Sequence, residues 1–486
     1  MPTGPGARRA ILVSTVSVLA GGAVALVGSL LLRVVMARAL EPAGLGLVLL
    51  ATALVTPLGA VAALGTNAAL AQRIAERRAR GDEDGARAVG RRGVLLATAS
   101  GALAAALLAA LALPLARLLG HPGLEGALLP IAPVALGLAV GVASLGVARG
   151  FGDSMGRALL REGGGGLLRL VGVGAALLAG RPTPFGIAVG FAAGSVVAEL
   201  AFAGFVAAKG WLSPRSPVEA EPLLPALRPF AATEVLSQAF QWLDVVVLGA
   251  LATPAAVGFY GVARGLTRVP DLVRQASAHG YLPEASAACA RGEADRLPAL
   301  HVATRRFAFA LVWPVLAVCL LAPEPVVALL FGATYAPAAE ALRLLALASF
   351  ATSSFDYLEL LLVAERRPAD VVRAGLTGTA ALFLLLGALV PPLGGSGAAF
   401  AVLGGGLARG VVLSRAAFRE RSFAPFRPAV VEPLLAGLVT LATGALLLAL
   451  LPATGVARAL VAAACGAAGS GAVLVRFFRA RETGAA

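Results

Sequence analysis

The sequence predicts an all-α polytopic membrane protein, with about fourteen transmembrane helices arranged as two six-helix lobes and a C-terminal helix pair. Three observations support this fold class. Hydrophobic residues make up 59% of the chain and charged residues only 14%, whereas soluble domains carry about 25% charged residues. Apolar runs of roughly 20 residues recur between Ile11 and Val475, and each can cross a hydrocarbon core about 30 Å thick. A weak repeat relates the two halves of the chain.

The first apolar run begins the predicted series of spans. It follows Arg8 and Arg9, extends to about Met36 and lacks an Ala-x-Ala cleavage pattern, so we expect a retained helix rather than a secretory signal. Six spans form the first lobe, six the second, and two more follow. The predicted bounds, in chain order, are 11–34, 44–66, 93–116, 127–149, 163–180, 184–208, 227–251, 256–280, 306–331, 338–363, 369–391, 394–415, 430–451 and 456–477.

Arginines concentrate in alternate loops, and this sets the predicted orientation. Lys and Arg near helix ends favour the cytoplasm. Loops after even-numbered spans are rich in arginine, whereas those after odd-numbered spans, such as 252–255 and 391–396, are short and nearly uncharged. We therefore expect a bacterial inner-membrane protein with both termini in the cytoplasm, and the net charge of +14 does not require nucleic acid as a partner. The loop arginines are Arg73, Arg77, Arg78, Arg80, Arg87, Arg91, Arg92, Arg157, Arg161, Arg291, Arg296, Arg305, Arg306, Arg366, Arg367, Arg415, Arg419, Arg421 and Arg427, with Arg476, Arg479 and Arg481 at the end.

An internal repeat appears when the chain is compared with itself. The segment Pro42-Ala43-Gly44-Leu45-Gly46 recurs 212 positions later as Pro254-Ala255-Ala256-Val257-Gly258. Two further short matches keep nearly the same offset. Because this offset spans an even number of predicted helices, both copies enter the membrane from the same side, as in repeats related by a pseudo-twofold axis along the membrane normal. The further matches are Ala79–Asp82 with Ala290–Glu293, and Leu118–Gly120 with Leu330–Gly332.

The repeat predicts the domain organisation. Residues 1–210 form the N-terminal lobe with helices one to six, and residues 227–417 form the C-terminal lobe with helices seven to twelve. The proline-rich segment 211–226 is the predicted cytoplasmic linker. Residues 418–486 hold the appended helices thirteen and fourteen and a cytoplasmic tail. Transporters with such repeats place the substrate path between the two halves.

Helix-end residues carry a resemblance to a known family. The segments 244–249 and 254–260 resemble the hairpin between helices seven and eight of bacterial polysaccharide-unit flippases. The segment 330–338, followed by Leu342-Arg343-Leu344-Leu345, is similar to the same proteins, and so is 38–42 with Gly46. These proteins belong to the superfamily of multidrug, oligosaccharidyl-lipid and polysaccharide exporters. The resemblance covers most of the chain and is a pattern of helix ends, not a catalytic signature.

The resemblance implies two six-helix lobes that form a V around a central cavity. Fourteen helices and long arginine-rich hairpin loops look more like the oligosaccharide-lipid branch than the twelve-helix drug exporters. We therefore expect a flippase that moves polyprenyl-diphosphate-linked oligosaccharide units across the membrane by alternating access, for cell-surface polysaccharide biosynthesis. The alternative is a cation-coupled multidrug or metabolite exporter on the same scaffold. A membrane-embedded enzyme is disfavoured, because the outward loops are too short to hold catalytic groups.

Cationic residues inside predicted spans are the candidate substrate ligands. Charged side chains deep in a bilayer are costly and usually face a cavity or a partner. Arg264, Arg268 and Asp271 lie at i, i+4 and i+7 on one predicted helical face, and guanidinium groups grip phosphate oxygens through paired hydrogen bonds. Internal neutralisation of Arg264 by Asp244 is the competing explanation. Arg33, near the end of the first span, is the third candidate, with snorkelling to the interface as its alternative.

Acidic residues inside spans are candidates for coupling to a proton or sodium gradient. The alternative for each is a structural hydrogen bond or charge pair. Two of them share the seventh span with Gln238 and Gln241, which makes them the better candidates. The set comprises Glu199, Glu234, Asp244, Asp356 and Glu359.

The remaining motifs predict no bound cofactor or metal. Cys289, Cys319 and Cys465 lack metal-ligand or redox spacing, and the three histidines are dispersed. The glycine run 163–166 favours a flexible helix break over a phosphate cradle. The expected partners are the lipid-linked substrate, membrane lipids, and the polymerase and glycosyltransferases of the same pathway.

Overall fold

The computed structural model describes residues 24–153, 156–214, 223–293, 295–419, 422–450 and 455–482. Within these ranges nearly every residue is helical and no strand occurs. The helices fall into two compact units, one ending at Gly258 and the other beginning at Phe259. The predicted all-α membrane fold is confirmed. The predicted lobe boundaries, including the linker at 211–226, stay a prediction.

The first unit contains nine helices among its described residues and begins a tenth. Several starts follow sequence signals, since Asp82, Thr183 and Thr253 each accept a hydrogen bond from the backbone N–H three residues on. Proline follows Thr183 and Thr253 directly, at the first helical position. The helices are α1 (24–39), α2 (Pro42–Ala62), α3 (Thr66–Ala79), α4 (Glu83–Leu118), α5 (Leu124–Ile131), α6 (Pro133–Gly150), α7 (Gly165–Leu178), α8 (Pro184–Ala208), α9 (Leu224–Leu251) and α10 (Pro254–Leu266).

The second unit contains the end of α10 and seven further helices. The last two of them pack on α12 through glycines: a Cβ at Gly466 would lie 2.8 Å from the Pro314 Cα. Close approach of this kind holds membrane helices together by van der Waals packing. The seven are α11 (Val269–Arg291), α12 (Arg296–Leu321), α13 (Pro323–Phe331), α14 (Ala338–Ala364), α15 (Pro368–Ala417), α16 (Arg427–Leu450) and α17 (Gly455–Glu482).

The two copies of the repeated Pro-Ala-x-x-Gly segment pack against each other within the first unit. A Cβ at Gly46 would overlap the carbonyl oxygen of Pro254, and a Cβ at Gly258 would overlap the carbonyl oxygen of Pro42. The contact is reciprocal, because the last residue of each copy meets the first residue of the other. Such exchange is the signature of a twofold axis between two segments. The two copies of this segment therefore occupy equivalent positions on either side of their contact.

The predicted count of fourteen spans is not confirmed. Ten helices in the described residues are long and apolar enough to cross a membrane, and α7 is a shorter apolar helix. Predicted spans eleven and twelve both lie within α15, which folds back on itself: a Cβ at Gly378 would lie 2.8 Å from the Arg409 Cβ, and one at Gly405 would lie 2.8 Å from the Leu382 Cβ. The chain turns between these two halves at Gly394, with φ 55° and ψ −127°. This conformation is open almost only to glycine. The first predicted span falls partly outside the described residues.

The eighth predicted span is two helices. The predicted helix 256–280 is interrupted at Thr267 and Arg268, between α10 and α11. Pro270 explains the break, because its ring has no N–H to donate to the carbonyl of Leu266 and clashes with the preceding turn. The single helical face assumed for the predicted cations is thus interrupted between them.

Candidate functional site: charged residues inside the helices

A buried ion pair lies inside the first unit. Glu199 on α8 is only 3% exposed, and its carboxylate accepts hydrogen bonds from Nε (3.1 Å) and Nη2 (3.5 Å) of Arg161. Glu199 lies nine residues before the end of α8, about 13 Å along the helix. Arg161 was counted as a loop residue in the sequence, and that assignment is wrong. It belongs to a π-helical turn, Arg157–Gly164, that leads directly into α7.

A missing side chain on the neighbouring helix makes room for this pair. A Cβ at Gly141 of α6 would overlap Oε2 of Glu199, and a Cβ at Gly137 would lie 3.7 Å from the Glu199 Cβ. The carboxylate therefore rests on a glycine surface of α6, with Arg161 on its other side. Small residues at helix contacts allow this close approach.

A second arginine lies beside this ion pair. Arg169 on α7 has Glu199 and Arg161 as its charged neighbours. Its Nη2 would lie 3.7 Å from a Cβ at Gly165, one turn back along the helix. The Arg169 guanidinium makes no hydrogen bond or ion pair in the described part of the chain. Contrary to the prediction from the sequence, the glycine run does not break the helix: Gly164 ends the π-helical turn and Gly165 begins α7 directly after it.

Two predicted acids lie on α9 of the first unit. Asp244 is fully buried, at 0% exposure, on a helix that packs against α2 and α3. Glu234 is half-buried and accepts a hydrogen bond of 2.7 Å from Nε2 of Gln238, one turn later. Glu234 therefore has the structural hydrogen bond that was the alternative to ion coupling.

The predicted substrate cations lie at helix ends. Arg264 is half-buried in the last turn of α10, and Arg268 is half-buried in the break that precedes α11. Thr267 between them donates a hydrogen bond of 3.2 Å to the carbonyl of Arg264. Backbone N–H groups of the first turn of α11 begin directly after Arg268. A helix N-terminus carries partial positive charge, which adds to the two guanidinium groups.

Arg33, the third predicted cation, lies on α1 and is half-buried. The helix approaches α7, because a Cβ at Gly28 would lie 3.7 Å from the Cα of Gly166. Arg33 follows this contact by five residues. The first unit therefore carries arginines on two helices that approach each other, Arg33 on α1 and Arg169 on α7.

An arginine bridges two predicted acids in the second unit. Nη1 of Arg409, on α15, donates to Oδ1 of Asp356 at 3.2 Å, and Nη2 pairs with Glu359 one turn further along α14. All three side chains are between 20% and 29% exposed. A Cβ at Gly378 would lie 2.8 Å from the Arg409 Cβ. The paired-charge alternative for Asp356 and Glu359 thus has a specific partner, Arg409.

Arg305 is buried in the second unit and hydrogen-bonds three groups. Its exposure is 2%. It donates to the carbonyl of Ser353 (2.7 Å), to Oγ of Ser354 (2.9 Å) and to the carbonyl of Ala429 on α16 (3.4 Å). Its guanidinium also stacks 5.1 Å from the ring centroid of Tyr357. The sequence assigned Arg305 to a loop, and that assignment is wrong, because α12 begins nine residues earlier.

The adjacent arginine attaches the appended helices to α12. Nε and Nη2 of Arg306 form a two-pronged ion pair with Glu432 of α16, at 2.8 and 2.9 Å. Arg305 and Arg306 therefore both join α12 to α16. No group of three potential metal ligands occurs among the residues described.

Sequence reasoning missed Arg161, Arg169, Arg305 and Arg409 as interior charges. Arg161 and Arg305 stand near apparent span ends, so a loop was the simpler assignment. Arg169 and Arg409 lie inside apolar runs, and their presence within predicted spans was the available signal. The hydrogen-bond partners of Arg161, Arg305 and Arg409 lie between 38 and 124 positions away in the chain, and no local pattern reveals them.

Comparisons with known proteins agree with this architecture. The family model described as "Polysaccharide biosynthesis protein" matches residues 11–279, more than half of the chain. No curated protein gives a significant match.

Several solved structures share the fold. The lipid II flippase MurJ in an inward closed conformation has a TM-score of 0.72 at 13% identity, covering 94% of this chain and 97% of that chain. An inward-facing multidrug resistance MATE family transporter of the MOP superfamily has a TM-score of 0.67 at 16% identity, covering 84% and 95%. A MOP superfamily transporter from Pyrococcus furiosus Vc1 has a TM-score of 0.62 at 19% identity, covering 84% and 94%. At these identities the likeness establishes the fold alone.

Proposed function

The chain belongs to the polysaccharide biosynthesis protein family, and from that premise we propose that it is a flippase for polyprenyl-diphosphate-linked oligosaccharide units. It moves them from the cytoplasmic to the periplasmic leaflet of a bacterial inner membrane, with both termini in the cytoplasm. The sugar crosses in a polar cavity while the lipid tail stays in the bilayer. The chain thereby supplies the polymerisation step of cell-surface polysaccharide biosynthesis and performs no catalysis of its own.

The observation that carries the proposal is the interrupted eighth span, with Arg264 in the last turn before the break and Arg268 within it. Transporters build substrate sites from discontinuous helices, whose half-helix N-termini point at anionic groups. Arg264 ends α10, Arg268 stands in the break, and the N-terminus of α11 follows. Two fixed cations and a helix N-terminus suit a diphosphate, which offers oxygens for paired hydrogen bonds from each guanidinium.

Energy for export has a simple source in this proposal. An inside-negative membrane potential assists outward movement of an anion by about 2.3 kcal/mol per charge per 100 mV. A proton or sodium gradient is the other source, with Asp244, Glu234, Asp356 and Glu199 as candidate coupling groups. Two of these acids pair with arginine, so ion binding there requires breaking an existing ion pair.

The second candidate function is a cation-coupled multidrug or metabolite exporter. The observation that favours it is Asp244, a carboxylate with no exposed surface on a helix of the first unit. Buried acids inside membrane helices are typical of proton and ion pathways. Loss of transport in Asp244→Asn, with indifference to changes at Arg264 and Arg268, would favour the exporter.

The test is rescue of a strain that lacks its polysaccharide-unit flippase. Surface glycan and internal lipid-linked unit are scored for the wild type, the Arg264→Ala/Arg268→Ala double variant and Arg343→Ala, an exposed arginine paired with Glu324. We expect rescue by the wild type and the control, and loss of rescue in the double variant at equal expression. Normal export by the double variant would contradict the phosphate site, and failure of the wild type across several glycan types would contradict the flippase.

A further inference from the structure

The charge balance around Glu199 in the first unit is uneven. Two arginines, Arg161 and Arg169, have this carboxylate as their charged neighbour, and it is hydrogen-bonded to Arg161 alone. Arg169 has no hydrogen bond among the residues described. The three groups therefore carry a net charge of +1 inside a membrane helix bundle. Two guanidinium groups beside one carboxylate attract anions, because an opposite charge nearby stabilises each of them, so the cluster is suited to a bound anion.

The geometry of the existing ion pair shows which anion shape the cluster accepts. Arg161 presents Nε and Nη2 to the two oxygens of Glu199, which is the side-on arrangement that guanidinium uses for phosphate as well as carboxylate. Arg169 stands next to Arg161 and adds a second fork. Two adjacent forks match the two phosphoryl groups of a diphosphate, whereas a single carboxylate engages only one of them.

Access to the cluster is partly open. The Arg161 side chain is 19% exposed, while Glu199 is nearly sealed at 4%. The glycine at position 141 leaves room for the carboxylate, because a Cβ there would overlap Oε2 of Glu199. An entering anion can therefore reach Arg161, whereas Glu199 lies against α6 and is almost inaccessible.

We propose that Arg161, Arg169 and Glu199 form an anion site for the diphosphate of the lipid-linked substrate, in which Glu199 occupies the place of a phosphoryl group while the site is empty. The inference rests on the proposed function for the identity of the substrate. It adds a site in the first unit, apart from Arg264 and Arg268. Arg161 exchanges its carboxylate partner for a phosphoryl group, and Arg169 gains a partner.

A placeholder role and a purely structural role for Glu199 predict opposite changes in anion affinity when Glu199 is substituted. If Glu199 competes with the anion for Arg161, then Glu199→Gln removes the competitor and tightens anion binding. If Glu199 merely holds Arg161 in position, the same change weakens binding. Glutamine keeps the size of the side chain, so packing against Gly141 is preserved.

The experiment measures binding to purified full-length protein in detergent micelles, by microscale thermophoresis. The probes are polyprenyl diphosphate, inorganic pyrophosphate and, as the neutral control, polyprenol. The variants are Arg161→Gln, Arg169→Gln, Arg169→Lys and Glu199→Gln, with Arg343→Gln as the matched control at an exposed pair. Thermal unfolding of each variant verifies that it is folded, and Arg169→Lys keeps the charge if the glutamine variant does not fold.

We expect about a tenfold or greater loss of polyprenyl diphosphate affinity in the two glutamine variants of arginine, since each removes a charge-assisted pair of hydrogen bonds. Arg169→Lys loses less, Glu199→Gln binds more tightly, and Arg343→Gln equals the wild type. Two results would overturn the site and leave the proposed function standing, provided that the wild type binds polyprenyl diphosphate. One is unchanged affinity in Arg161→Gln and Arg169→Gln, and the other is weaker affinity in Glu199→Gln.

The remaining outcomes separate the two proposals. Binding of inorganic pyrophosphate alone, with the same dependence on Arg161 and Arg169, supports the anion site and contradicts the lipid-linked substrate. Wild-type protein that binds neither diphosphate contradicts both. Equal affinity for polyprenol and polyprenyl diphosphate shows that the lipid tail alone is recognised, which overturns the site.

Discussion

Single residues in this protein show how membrane helices tolerate charge. Arg305 is satisfied by three acceptors and an aromatic face, and Arg409 by two carboxylates. Arg161 has one carboxylate, and Arg169 next to it has no hydrogen bond within the described ranges. A fully bonded charge fixes its neighbours, whereas an incompletely bonded one is available to a ligand. This contrast separates Arg305 and Arg409 from Arg161 and Arg169.

The structural role assigned to Arg305 can be tested against its neighbour in sequence. Arg305→Ala leaves the carbonyl of Ser353 and the hydroxyl of Ser354 without this donor in a buried site. We expect a loss of about 1–3 kcal/mol in stability, seen as a lower melting temperature in detergent. Arg306→Ala breaks a pair that is 13% and 23% exposed and should cost less. An equal or smaller shift for Arg305→Ala would contradict the assignment.

Gly141 is the residue on which the position of Glu199 depends. In Gly141→Ala the new Cβ overlaps the Glu199 carboxylate, so we expect displacement of the ion pair with Arg161 and a lower melting temperature. Overpacking of this kind costs typically about 1–3 kcal/mol.

The control for this prediction is Gly174→Ala on α7, where an added Cβ meets nothing within 4 Å and alanine should be tolerated. In the double variant Gly141→Ala/Glu199→Ala the overlapping carboxylate is gone. The combined loss should therefore be smaller than the sum of the single losses. Strict additivity would show that the two residues do not interact.

At the scale of helices, glycine contacts define where the elements meet. The reciprocal contact of Gly46 with Pro254 and of Gly258 with Pro42 brings backbone against backbone, with no flexible side chain to give way. Such a contact holds the starts of α2 and α10 at one fixed distance. Pro-Ala-x-x-Gly is therefore a packing motif, which accounts for its appearance in both copies of the repeat.

The prediction at this scale concerns Gly46→Ala and Gly258→Ala. Each added methyl group must push the opposing carbonyl away, so we expect each variant to lower the melting temperature, by an amount that corresponds to about 1–3 kcal/mol. Because both changes open the same contact, the double variant should lose less than the sum. The control is Gly126→Ala on α5, where an added Cβ meets open space. Unchanged melting in both variants would show that the segments are not in contact.

Most helices were predictable from the sequence because apolar length and helix-start residues are local signals. Thr183-Pro184 and Thr253-Pro254 mark starts that the structure places within two residues of the prediction. The interruption before α11 was missed, although Pro270 was its visible cause. The turn at Gly394, where the two halves of α15 fold back on each other, falls in the predicted loop 391–396. Side-chain partners were not predictable, because they join helices distant in sequence.

At the scale of the whole molecule, the chain is a multi-pass membrane protein of the polysaccharide biosynthesis protein family. The family predicted from helix-end residues is confirmed by that match. The twofold relation predicted from the repeat agrees with the reciprocal contact of its two copies. Orientation across the membrane stays a prediction, and it determines which side of the membrane the proposed anion site opens to.

That orientation is the prediction with the widest consequence. Arginine-rich loops after even-numbered spans should be cytoplasmic. A reporter protein that works only in the cytoplasm should therefore be active when fused after Ala486, and one that works only in the periplasm should be inactive there. In a variant whose Cys289, Cys319 and Cys465 are replaced, a cysteine at Thr253, in the turn between α9 and α10, should react with a membrane-impermeant thiol reagent in intact cells. A cysteine at Arg80, an exposed residue in the turn between α3 and α4, should react only after lysis. The opposite pattern would reverse the direction of transport proposed for this chain, because the diphosphate site near the start of α7 would then open to the periplasm.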